Sequence, residues 1–234
     1  MTDRGAGTGR VVALSFDDGP GDQTEAILDL LRGHGVRATF FLVGKAIERR
    51  PELVHRLVAE GHELGNHTFS HRKLGGLTSA EIERELRLTS ELIERETGVR
   101  PTLFRPPYGL DGLDARSAAA ALGMTTIRWS ANSRDWDGSD PQTIAARVIA
   151  SSQQSSVIVL HDGGGNREST VRALEIALPV LRAAGLELVT VSEALARSRR
   201  ERRLVVVRPR GPLRRLVGFA RAHLEGRWLI ASVA

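Results

Sequence analysis

The sequence predicts an α/β fold: a deformed or incomplete (β/α) barrel of about seven parallel strands. Two observations carry that expectation. Short apolar runs alternate with amphipathic helical stretches along most of the 234 residues, the pattern that builds a parallel sheet from strand–helix units. There are seven such runs, close to the eight of a closed barrel. An open doubly wound sheet fits the same alternation, and neither periodicity nor length separates the two.

The predicted strands are 11–16, 36–43, 62–66, 102–105, 124–129, 157–160 and 187–190, and the helical stretches between them are 24–32, 45–60, 78–97, 114–122, 141–152 and 169–184. Helix starts are well marked. Thr78 and Glu81 form a capping box that satisfies two otherwise orphaned N–H groups, and Asp140 before Pro141 gives an N-cap and a proline at the first helical position. Gly33, Gly61, Gly98, Gly123 and Gly185 stand where helices should stop.

Composition narrows the chemistry. With 41% hydrophobic residues the chain can bury a sizeable core, and the absence of cysteine excludes disulfides, thiolate metal sites and a cysteine nucleophile. No uncharged apolar run is long enough to span a bilayer, and the start has no apolar core of a signal peptide. A cytoplasmic location is expected as the sequence stands, or the cell envelope or outside if a signal lies beyond it. The net charge of +5 is uneven: residues 197–234 carry 11 arginines against Glu201 and Glu225, a net +9, which leaves −4 for the rest. No nucleic-acid partner is therefore expected for the body. The expected organisation is a flexible N-terminus (1–10), a catalytic domain (11–196) and a basic, arginine-rich extension (197–234). Within the extension, 204–207 reads as a strand and 213–224 as a short basic helix. The extension is either a solvated tail or a contact with an anionic surface.

Polar residues gather where strands end, the place where parallel α/β folds put their sites. Asp17 and Asp18 follow the first strand, so one carboxylate can bind a cation while its neighbour faces a substrate. His67 and His71, four residues apart, fall on one face of a helical turn and can converge on one metal. With Asp18 they make a His₂-carboxylate set that suits a catalytic zinc, although iron, cobalt or nickel use the same ligands. Arg105 opens a proline-stiffened loop and is free to clamp a carboxylate. Asp135 and Trp136 follow the fifth strand, and His161 with Asp162 and three glycines follows the sixth, a position suited to proton transfer.

In this order, Ser15-Phe-Asp17-Asp18-Gly-Pro20, Ala38-Thr-Phe-Phe41, Gly61-His-Glu-Leu-Gly-Asn-His67-Thr-Phe-Ser-His71, Arg105-Pro-Pro-Tyr-Gly109, Asp135-Trp136 and Val159-Leu-His161-Asp-Gly-Gly164 resemble the motifs of the polysaccharide deacetylases. This is carbohydrate esterase family 4, the NodB homology domain, and the resemblance covers roughly 11–195. It implies a deformed barrel and a hydrolase acting on a non-peptide carbon–nitrogen bond. It further implies Asp18, His67 and His71 as ligands of one divalent metal ion, Asp17 as base, and Arg105 as the partner that keeps Asp17 ionised. His161 would be the acid tuned by Asp135, the Tyr108 amide an oxyanion donor, and Trp136 and Leu160 walls of an acetyl pocket. One departure is Asn132, where many members carry aspartate.

The chemistry is coherent on its own terms. An amide is a poor electrophile with a poor leaving group, so its hydrolysis needs an activated water, a base and an acid. The expected substrate is an acetylated carbohydrate: peptidoglycan, a chitin-like glycan or an oligosaccharide. Other readings are O-acetyl ester hydrolysis or small-molecule deacylation at the same site, and, from another class, a non-catalytic carbohydrate- or surface-binding module.

Overall fold

The computed structural model describes residues 11–110, 112–152 and 156–206. Eight strands form one sheet: β1 (Val11–Asp17), β2 (Thr39–Leu42), β3 (Glu63–Asn66), β4 (Leu103–Phe104), β5 (Thr125–Thr126), β6 (Ala131–Asn132), β7 (Ser156–His161) and β8 (Glu187–Val189). They run β5-β4-β3-β2-β1-β7-β6, and every pairing is parallel. β8 pairs with Val11–Ala13, the part of β1 that β2 leaves open. Among the described residues β5 and β6 end the sheet without pairing to each other, so the barrel is incomplete. Each of the seven strands predicted between residues 11 and 190 occurs, and the two-residue β6 adds to them.

The helices are α1 (Thr24–Gly33), α2 (Gly44–Arg49), α3 (Pro51–Ala59), α4 (Ser79–Thr97), α5 (Leu113–Ala121), α6 (Pro141–Ser151), α7 (Glu168–Ala183) and α8 (Val191–Val206). The capping box of Thr78 with Glu81 and the Asp140 cap both form. Two expectations change. The stretch 45–60 is two helices because Pro51 pushes Arg50 out of the helical region, to φ −141° and ψ 58°. Past Arg197, α8 continues to Val206 through a run of arginines with Glu201 and Leu204, all good helix formers, so 204–206 is helical rather than the start of a strand. The proposed helix 213–224 lies outside the described residues.

All seven residues of β1 are buried, and its alternation sorts them onto two faces. Val12, Leu14 and Phe16 join the large core under the helices, where Phe16 stacks on Phe40 at 4.9 Å. Truncating such a ring to alanine costs about 3–5 kcal/mol. Ala13 faces the barrel interior with Phe41, Leu103 and Ile127, and Ser15 and Asp17 continue that face toward the open end. Because the strands are parallel, their carboxyl ends meet at one mouth.

Candidate active site

β1 carries Asp17 inward, and register places it beside His161 on β7 and Phe41 on β2. Arg105 is fully buried; its Nη1 donates to Asp17 Oδ1 at 2.7 Å and to Ser15 Oγ at 3.0 Å. Its guanidinium lies 3.9 Å from the centre of the Phe41 ring, a cation on the electron-rich face of an aromatic. That ring has room because residue 65 is glycine: a Cβ there would approach Phe41 Cδ1 to 2.5 Å. Burial pulls the Arg105 pKa below its ordinary value, against the pull of Asp17.

Asp18 turns away from Asp17 through a positive φ of 74°. Among the described residues the other non-glycine positions with positive φ are Thr68, His71, Tyr108 and Arg134, all in the loops at the same mouth. Such conformations are costly and survive only where surrounding contacts enforce them. The enforcement at 67–71 is visible. His67 and His71 converge through a loop with turned backbone at Thr68 and His71, not through a helical turn as their spacing suggested. Asn66 Oδ1 accepts from the Thr68 N–H at 2.8 Å, and Thr68 Oγ1 accepts from the His71 N–H at 3.1 Å. Glu85 on α4 accepts from the Phe69 and Ser70 N–H groups at 3.0 and 2.8 Å.

One ligand atom from each of Asp18, His67 and His71 lies within 4.8 Å of the others. His67 Nδ1 sits 2.6 Å from the Arg105 carbonyl, which can only accept. Nδ1 therefore carries the hydrogen, and in the neutral ring Nε2 presents a lone pair toward Asp18. Asp18 Oδ1 is 3.4 Å from His67 Nε2 and 2.9 Å from His71 Nε2, yet it is buried without a well-formed hydrogen bond. Burial pushes the Asp18 carboxyl up, but the two imidazoles outweigh it and hold the group below the usual carboxylate range. An ionised carboxylate with an orphaned oxygen, facing two imidazole nitrogens, fits a divalent cation.

Asp135 is buried and organises the other side. Its Oδ1 lies 2.7 Å from His161 Nδ1, and its Oδ2 accepts from the His161 N–H and from Thr170 Oγ1, each at 2.8 Å. Burial lowers the His161 pKa, but the hydrogen bond and charge of Asp135 outweigh it, so His161 stands above its ordinary value. The neighbouring Asp162 is fully buried and is pushed up to about 7 by that burial, with Thr24 Oγ1 donating to it at 2.5 Å. The glycine-rich turn beyond it packs on Asp18: a Cβ on Gly163 would fall 2.2 Å from the Asp18 carbonyl oxygen.

Asp17, Asp18, His67, His71 and His161 border a cleft of about 800 Å³. Tyr108 is 56% exposed, its ring 5.0 Å from that of His71. Trp136 and Asn132 also line the cleft, with Asn132 Oδ1 accepting from the Arg134 N–H. Leu160 does not. It pairs in register with Phe16 and faces the helix-side core, while Val159 and His161 take the cleft face. Strand alternation thus replaces Leu160 with Val159. Sequence reasoning also missed Asn66, Glu85 and Thr170; only Asn66, beside the His67 loop, carried a local signal.

Comparison with known proteins gives the family. A model described as Polysaccharide deacetylase matches residues 4–127. A peptidoglycan-N-acetylglucosamine deacetylase of Bacillus cereus is 36% identical over 189 residues, 80% of this chain and 88% of the relative. The chain belongs to the polysaccharide deacetylase family. A chitooligosaccharide deacetylase of Bradyrhizobium is 36% identical over 76% of this chain and 88% of its own length. The solved structure of peptidoglycan deacetylase PdaC from Bacillus subtilis superposes with a TM-score of 0.78 at 34% identity, covering 85% of this chain and 96% of that one. Some relatives are longer, and of one the chain spans 39%. Among the described residues no helix is long and apolar enough to cross a membrane.

Proposed function

We propose that this polysaccharide deacetylase removes N-acetyl groups from the amino sugars of a glycan, either peptidoglycan or a chitin-like oligosaccharide. The observation that carries the reading is the meeting of two proton-transfer pairs, Asp17 with Arg105 and His161 with Asp135, beside Asp18, His67 and His71 in one cleft. Asp18, His67 and His71 would hold the divalent ion, zinc being the best match for two imidazoles and a carboxylate. When bound, such an ion acidifies a coordinated water toward a pKa of about 7 and polarises the acetyl carbonyl.

The chain's own groups do the rest. Asp17, oriented by Arg105, accepts the proton of the attacking water. His161 holds a proton on its cleft-facing nitrogen and delivers it to the nitrogen of the breaking C–N bond, with Asp135 stabilising the imidazolium. The backbone at Tyr108 serves the developing oxyanion, and Trp136 and Val159 shape the acetyl pocket. A binding module without catalysis has no use for a base, an acid and a ligand set in register. A peptidoglycan substrate would place the activity in the cell envelope.

Acetate release from N-acetylglucosamine oligomers and from peptidoglycan, before and after chelation, tests the reading. Release should vanish with chelator and return with zinc. Release that survives complete chelation overturns it.

A further inference from the structure

Lys45 and Arg49 on α2, and Arg167 at the start of α7, line the cleft. Arginines elsewhere on the surface are mostly paired, as the exposed Arg32 is with Asp29 and the half-buried Arg56 with Asp29 and Glu60. Among the described residues no carboxylate lies within ion-pairing distance of Lys45, Arg49 or Arg167. Lys45 and Arg49 stand four residues apart, so they share a helix face where like charges repel. The acids of the cleft, Asp17 and Asp18, are turned toward Arg105 and the imidazoles.

Two of these residues are anchored, Lys45 through its backbone and Arg167 through its side chain. The Lys45 N–H donates to the Phe69 carbonyl at 2.9 Å, which fixes α2 against the loop of His67 and His71. Arg167 Nε donates to the Gly163 carbonyl at 2.7 Å and Nη2 to the Gly164 carbonyl at 3.1 Å. Its backbone N–H donates to Gln23 Oε1 at 3.0 Å. Arg167 is thereby fixed against the end of the 18–23 segment that follows Asp18. With Nε and one hydrogen of Nη2 taken by the two carbonyls, the Nη1/Nη2 end of the Arg167 guanidinium is left to meet the two oxygens of a carboxylate.

We infer that Lys45, Arg49 and Arg167 recognise a carboxylate carried by the glycan in the cleft, so that acidic N-acetylated glycans are favoured over neutral ones. The inference rests on the deacetylase reading above and adds the charge of the substrate to it. The test compares kcat/KM for one N-acetylated oligosaccharide bearing free carboxylates with that for the same oligosaccharide after its carboxylates are converted to amides. The acidic form should be favoured by roughly 10-fold or more at low salt, with the advantage shrinking as salt rises. Replacing all three cations (Lys45→Gln, Arg49→Gln, Arg167→Gln) should bring the ratio close to one. Arg49→Glu alone, at an exposed helix position, should lower it further than Arg49→Gln. A wild-type ratio of one, or a ratio that the triple variant leaves unmoved, overturns this inference and leaves the deacetylase reading standing. Acetate release from neither substrate overturns both.

Discussion

His67 follows one strand end and His161 closes another, and each donates from Nδ1, yet they face different partners. The Nδ1 of His67 meets a neutral carbonyl, that of Arg105, at 2.6 Å. The Nδ1 of His161 meets the Asp135 carboxylate at 2.7 Å. A carbonyl fixes the tautomer and leaves Nε2 a ligand; a carboxylate also stabilises the imidazolium and makes the ring an acid. His62 completes the comparison. Its Nδ1 accepts from the Ala38 N–H at 3.1 Å, its Nε2 is buried without a hydrogen bond, and burial outweighs the nearby Glu60 to take its pKa from 6.5 to about 4. The group at Nδ1 thus separates a ligand, an acid and an inert core imidazole.

Removing the acid should have the largest effect. His161→Gln is expected to lower kcat for acetate release by about 10²–10⁴-fold, with metal content per chain unchanged. Next comes His62. The folded chain binds fewer protons there than the unfolded chain, so stability present above pH 6.5 is lost as pH falls toward 4. The loss is about 3 kcal/mol at ~1.4 kcal/mol per unit, and denaturant melts of His62→Gln across that range should be flatter than those of the wild type. Glu85→Gln loosens the backbone that presents His67 and His71, and chelator competition should report an affinity roughly 10- to 100-fold weaker for the metal. The smallest effect is a displacement. The raised His161 pKa keeps the acid protonated to higher pH, so Asp135→Asn should move the alkaline limb of the kcat/KM profile to lower pH.

Much of this was legible in the sequence because parallel strands bring their carboxyl ends together whatever lies between them. Asp17, His67, Arg105 and His161 each follow or close an apolar run, and that placement alone predicts a shared mouth. What failed needed three-dimensional register. Leu160 and Val159 are both apolar and adjacent, and only the pairing of β7 with β1 says which faces the cleft. The spacing of His67 and His71 allowed a helical turn, but Asn66 and Glu85 bend the segment into a loop. Glu85 and Thr170 sit on helices among other polar residues, with nothing local to mark the backbone or carboxylate they hold. The split at Pro51 was readable from the proline itself.

The most direct measurement is acetate release by Asp17→Asn with its metal content determined on the same sample. The pairing of Asp17 with Arg105, apart from the ligand set, predicts a variant that still binds one divalent ion per chain and has lost at least about 100-fold in kcat. A fully metallated variant that releases acetate at the wild-type rate would contradict it.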